Sequence, residues 1–132
     1  GYVLRGEGKM SIVFQEDRLI ENLTAIQNLC FAAGKSALDD ARGLLCALGL
    51  EDDLDRPVSK FSGGMKRRVA IARALAVKPD LLIMDEPFRG LDEAARANAA
   101  QLICNRGIHT IIFVTHDRAE IALMNAQHEL SL

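Results

Sequence analysis

Two short apolar runs in this 132-residue chain stop abruptly at ionisable residues. Leu81-Leu82-Ile83-Met84 ends at Asp85-Glu86, and Ile111-Ile112-Phe113-Val114 ends at Thr115-His116-Asp117. Adjacent carboxylates in such a place suit a divalent cation such as Mg2+ and a base that activates water. The blander account is that acidic residues end a strand and cap the next turn or helix. Two runs ending this way, one crossover apart, favour the chemical account. A third segment, Ser62-Gly63-Gly64, lets backbone N–H groups approach an anion and opens a helix whose N-terminus carries positive partial charge. Lys66, Arg67 and Arg68 then crowd the first turn, where the helix dipole disfavours cations; a bound phosphate would relieve that mismatch. A Ser-capped helix with its basic residues in water is the competing account, and Ser-Gly-Gly alone does not separate the two.

These residues need elements to hold them. Continuous apolar runs joined by a helix from about Glu93 to Asn105, stopped by Gly107, describe a βαβ crossover with about 30 residues per unit. Such strands are buried on both faces of a parallel sheet, and ligands bind beyond their carboxyl ends. A helix from about Met65 to Val77 precedes them, ended by Lys78-Pro79. Further upstream, Gly6 to Phe14 reads as a turn and a short strand, with Ile12-Val13-Phe14 apolar. Thr24-Ala25-Ile26-Gln27 has capping-box spacing, and Gly34 offers a stop for the short helix it opens. Ser36-Ala37-Leu38-Asp39 repeats the pattern and opens a helix carrying Leu38, Leu44, Leu45 and Leu48, which Gly49 closes. Glu51 to Lys60, polar and containing Pro57, reads as a loop. The second half is thus α/β, and the first half is mostly a helical insertion.

Composition narrows the field. The chain is 49% hydrophobic and 26% charged, with a formal net charge of −2. A disordered tail, a collagen-like repeat and a disulfide-stapled miniprotein are excluded, and nothing marks a general nucleic-acid partner. Cys30, Cys46 and Cys104 are scattered and form no Cys-x-x-Cys pair, which fits a reducing cytosol. No apolar run approaches the ~20 residues that span a bilayer, and the N-terminus has no signal-peptide pattern. No direct membrane insertion is expected, and any membrane connection runs through a partner.

Two segments imitate a phosphate-binding P-loop, Gly-x-x-x-x-Gly-Lys-[Ser/Thr]. Gly34-Lys35-Ser36 has Leu29 where the first glycine belongs and leaves a helix rather than a strand. Gly8-Lys9 has Val3 at that position and Met10 after the lysine. Neither is a Walker A motif, and the sequence contains no other.

The order of the remaining signals is specific. Gln15, Phe61-Ser62-Gly63-Gly64-Met65, Leu81-Leu82-Ile83-Met84-Asp85-Glu86-Pro87, Gly90-Leu91-Asp92 and His116 resemble, in turn, the Q-loop, signature, Walker B strand, D-loop and H-loop of ABC transporter ATP-binding subunits. The resemblance runs from about residue 10 to the end. It departs from the commoner pattern at Phe61 and Met65 of the signature, and at Arg89 and Gly90 before Leu91-Asp92. The run Gln15-Glu16-Asp17-Arg18-Leu19 looks most like importers of the nitrate, sulfonate and taurine group.

The resemblance implies an α/β fold: a P-loop NTPase core of the ABC ATPase type, with a mostly parallel sheet plus a helical subdomain. Residues 1–132 would form a partial ABC ATPase domain, truncated at its N-terminus, with the Walker A motif expected a few tens of residues before Gln15. About 18–77 would be the helical subdomain that docks on the membrane partner, and about 1–17 and 78–132 the α/β core. ATP and Mg2+ are the implied cofactors. Gln15 would sense the γ-phosphate and Mg2+, Asp85 would hold Mg2+ through water, and Glu86 would polarise the attacking water. His116 would contact the γ-phosphate. Ser62, Gly63 and Gly64, continuing to Met65, would bind the γ-phosphate of ATP held by the opposite subunit, and Asp92 would organise the dimer interface. The implied partners are transmembrane permease subunits and a second ATPase subunit, on the cytoplasmic face of the plasma membrane, powering solute import. A non-catalytic subunit that offers its signature face in trans is the alternative. The C-terminal lobe of a chromosome-maintenance ATPase fits less well, because a long coiled coil normally precedes it.

Overall fold

The computed structural model describes residues 2–3 and 8–129. The apolar runs become the centre of a four-stranded sheet in the order β1-β2-β3-β4. β2 (Lys9–Val13), β3 (Leu81–Asp85) and β4 (Thr110–Val114) are mutually parallel, and β1 (Tyr2–Val3) runs antiparallel along the outer edge of β2. The register sets Val13 beside Met84 and Met84 beside Phe113, so these three share a face. Strand alternation places Ser11 and Leu82 on that same face, where they are buried. Met10, Ile12, Leu81, Ile83, Ile112 and Val114 occupy the other face. Among the described residues, β4 has no strand on its far side.

β1 lies outside the sequence-based expectation, and the turn expected at Gly6 lies outside the described residues. β2 stops at Val13, one residue before the expected Phe14. Phe14 leaves the ladder because its carbonyl accepts from a helix arginine instead.

α1 (Ala25–Ala33) opens on the full capping box: Gln27 N donates to Thr24 Oγ1 at 3.1 Å, and Thr24 N donates to Gln27 Oε1 at 2.9 Å. It closes at Gly34, whose φ of +92° needs no Cβ. The next helix departs from expectation. Lys35–Ala37 form a 3-10 turn, and α2 (Leu38–Ala47) starts after Ala37, which caps nothing with its side chain. Ser36 is therefore not a cap, because Ala37 N donates to Gly34 O and winds the chain tightly at that point. The 51–60 segment carries two 3-10 turns, Glu51–Asp53 and Val58–Lys60. It is pinned by Val58 N donating to Leu23 O at 2.9 Å.

α3 (Gly63–Ala76) begins two residues before the expected Met65, because Ser62 Oγ accepts from Met65 N at 3.2 Å. Its buried face (Ala70, Ile71, Ala74, Leu75) packs against α1 and α2, and the helix also contacts β2. α4 (Glu93–Cys104) makes the β3-to-β4 crossover and buries Ala99, Ala100 and Ile103. A short α5 (Arg118–Leu123), capped by Asp117, comes after β4 and lies outside the elements expected from sequence. The buried apolar residues of sheet and helices form one cluster. Among the described residues, no helix is long and apolar enough to cross a membrane.

Candidate functional site

β3 delivers Asp85 to the carboxyl edge of the sheet, exposed and in register with Val114. The chain then turns sharply. Glu86 has φ +48°, the left-handed region that non-glycine residues rarely enter and that often marks a functional turn. Three hydrogen bonds to its backbone hold it there. Glu86 N donates to Val114 O at 2.9 Å, and Glu86 O accepts from Arg89 N at 3.2 Å and from Arg67 Nη2 at 2.7 Å.

The Glu86 side chain is 17% exposed, and its Oε1 is a buried acceptor without an aligned hydrogen-bond donor among the described residues. His116 Nε2 lies 3.2 Å away on a ring that is 92% exposed. That approach satisfies an ion-pair distance but not hydrogen-bond direction, so the carboxylate keeps free acceptor capacity. Asp85 is a single exposed carboxylate, and no group of three or more metal-ligating side chains occurs among the described residues. This donor set fits Mg2+, which takes one or two carboxylates, substrate phosphates and several waters.

Arg67 unites the site from below. Its guanidinium is buried and donates to backbone carbonyls on both sides: Phe14 O (2.6 Å) and Gln15 O (3.3 Å), then Asp85 O (3.0 Å), Glu86 O (2.7 Å) and Pro87 O (2.9 Å). The Asp17 carboxylate accepts at 3.1 Å. The backbones of Gln15 and Glu86 therefore share one side chain, while the Gln15 side chain is exposed and makes no hydrogen bond among the described residues.

These contacts bear on the basic first turn of α3, which the sequence left open between a bound phosphate and solvation. Lys66 pairs with Glu21 at 3.1 Å, Arg67 serves the carbonyls, and Arg68 Nη1 donates to Leu48 O at 3.0 Å. Arg68 Nε also donates to Gly64 O at 3.3 Å, so its guanidinium stays at the first turn of α3. Sequence reasoning misses Arg67 as a site residue, although the signal is present. It shares a helical face with Ala70, Ile71 and Ala74, and a cation on an apolar face must be paired.

The Ser62-Gly63-Gly64 turn is exposed at Ser62 and Gly63 and packs at Gly64, where a Cβ would sit 3.3 Å from Gly90 O. The signature turn thus touches the Gly90-Leu91-Asp92 loop. Met65 is half-buried, with its N–H held by Ser62. Asp92 is exposed and caps α4, accepting from Ala95 N at 2.8 Å. No hydrogen bond or ion pair joins Ser62 or Asp92 to Gln15, Asp85, Glu86 or His116 among the described residues. Two groupings result, one around Glu86 and one around Ser62.

The ABC transporter family profile matches residues 5–89. A lipoprotein-releasing system ATP-binding protein of Caulobacter vibrioides, LolD 1, is 40% identical over 119 residues, covering 83% of this chain and 51% of that protein. An aliphatic sulfonates import ATP-binding protein of Burkholderia cenocepacia, SsuB 1, is 38% identical over 125 residues, covering 89% of this chain and 39% of that protein. The chain spans about half or less of the length of these curated relatives. Among solved structures, the dimeric post-hydrolysis state of the ATP-binding cassette MJ0796, bound to ADP and Pi, superposes with a TM-score of 0.76. It is 32% identical, and the match covers 88% of this chain and 56% of that one. With its parallel sheet and ordered motifs, this chain belongs to the ABC transporter ATP-binding family and has the α/β fold of an ABC ATPase.

Proposed function

We propose that the chain supplies the Q-loop, signature, Walker B, D-loop and H-loop residues of an ATP-hydrolysing site that drives an ABC transporter. The observation that carries this reading is the buried Glu86 Oε1, without a hydrogen bond among the described residues, 3.2 Å from His116 Nε2 and one residue from the cation-suited Asp85. Glu86 would polarise the attacking water, Asp85 would hold Mg2+ through water, and His116 and Gln15 would face the γ-phosphate. Phosphoryl transfer of this kind relies on positioning and charge stabilisation more than on covalent chemistry. Ser62, Gly63, Gly64 and Met65 would meet ATP bound by a second ATPase subunit, with Asp92 at that interface. The exposure of Ser62 and Gly63 supports a role in trans.

Residues 18–77 would form the subdomain that docks on a transmembrane permease at the cytoplasmic face of the membrane. Phe31, 77% exposed on α1, supports a docking surface there. Import is favoured by the Gln15–Leu19 run and by the sulfonate-import relative. The test is ATP turnover by this chain joined to a P-loop-bearing N-terminal half from a family member. Glu86→Gln should lower turnover by about 10²–10⁴-fold, the range for a positioned base, with nucleotide affinity retained. Turnover that survives the substitution would refute the role.

A second reading has its own observation, the exposed Ser62 and Gly63 at the start of α3. Under it the chain is a non-catalytic subunit that completes a partner's site with Ser62–Gly64. A chain that completes a partner's site while its own Glu86 is dispensable supports this second reading.

A further inference from the structure

We propose that Arg67 is the positioning residue that ties the Phe14–Asp17 segment to the Asp85–Pro87 turn, so that moving the first displaces Glu86. The inference rests on the reading of Glu86 as the water-polarising carboxylate. Three consecutive carbonyls, Asp85 O, Glu86 O and Pro87 O, converge on the guanidinium Nε and Nη2. This convergence falls on the left-handed turn at Glu86, where buried carbonyls demand donors. The remaining Nη1 is occupied by Phe14 O, Gln15 O and the Asp17 carboxylate. A planar fork of five N–H donors can serve both groups at once; a lysine ammonium, with three donors on one atom, cannot.

Arg73 strengthens the upstream half. Its Nη1 donates to Arg18 O and its Nη2 to Asp17 O, each at 2.7 Å. The segment from Phe14 to Arg18 is therefore fixed to α3 by two arginines, and of these only Arg67 continues to Glu86. A shift of this exposed segment, such as a docking partner would impose, reaches the site through the Arg67 plane.

Amide hydrogen exchange of the full chain, resolved by NMR, tests the link without nucleotide. Asp17→Asn touches neither Glu86 nor His116. It should nevertheless speed exchange of the Glu86 amide, which is held by Val114 O, by between about two- and thirtyfold, the range of coupling through packed networks. Arg67→Lys should speed the Glu86 and Arg89 amides by about tenfold or more while leaving the α1 and α2 amides unchanged. In the Arg67→Lys background the Asp17→Asn increment should vanish. An unchanged Glu86 amide in Asp17→Asn, an increment that persists in the double variant, or uniform acceleration along α1, α2 and α3 in Arg67→Lys would each overturn the proposal. Should Arg67→Lys fail to fold, Asp17→Asn alone decides by the same criterion. Because no nucleotide enters the measurement, its failure is distinct from failure of the Glu86 role, which ATP turnover reads separately.

Discussion

The outer face of β4 gives a prediction with a magnitude that can be worked out. Ile112 and Val114 are 51% and 53% exposed, although parallel strands are ordinarily covered on both faces. Fully burying an Ile or Val side chain is worth about 1.5–3 kcal/mol, so about half of that, ~1 kcal/mol each, is still unrealised. Together they offer ~2 kcal/mol per chain, and the edge of β4, unpaired among the described residues, adds backbone hydrogen bonds to whatever covers them. Association must overcome at least ~4 kcal/mol of lost freedom, so self-association should be weak and visible only at high concentration. Sedimentation velocity across a concentration series should show it. The Ile112→Lys/Val114→Lys double variant should remain folded, because both side chains are already half in water, and should stay monomeric. A wild-type chain that is monomeric throughout, or a double variant that associates equally, would refute this use of the exposed face.

Two further predictions concern stability. Hydrogen bonding from Arg106 holds the Asp40 carboxyl below its ordinary 3.8, assisted by the charges of Arg106 and Lys78 against a smaller cost of burial. A lowered folded value means that the bridge stabilises fully above the unfolded value and is lost as pH falls through the folded one. Asp40→Asn should therefore cost up to about 1 kcal/mol near neutrality, in keeping with a partly exposed pair, and the difference from wild type in denaturant melts should close below about pH 4. Thr24→Ala removes one half of the α1 capping box and should cost about 0.5–2 kcal/mol in the same melts, with Thr24→Ser restoring most of it.

Much of this architecture is legible in particular residues. The apolar runs at 81–84 and 111–114 point to the parallel strands, although Ile112 and Val114 are half exposed, and Thr24 announces its helix through the capping box. Ser36 misleads, since capping spacing means little when the preceding Gly34 winds the chain into a 3-10 turn. Arg67 misleads more instructively. Its neighbours Lys66 and Arg68 suggest a solvated basic cluster, and the carbonyls that it serves lie 18 to 20 and 52 to 53 positions away in sequence. Local pattern does not contain such contacts; only the fold brings them together. The left-handed Glu86 is invisible for the same reason, because nothing in Asp-Glu-Pro requires it.

The most direct test of the proposed role is Mg2+-ATP turnover measured for this chain alone, for an intact family ATPase alone, and for the two mixed. The 132-residue chain, with no phosphate-cradling Gly-Lys loop in its sequence, should show no turnover by itself. Mixed with the intact subunit it should form one composite site whose turnover is abolished by Ser62→Arg in this chain. Mixed turnover indifferent to Ser62→Arg would contradict that role.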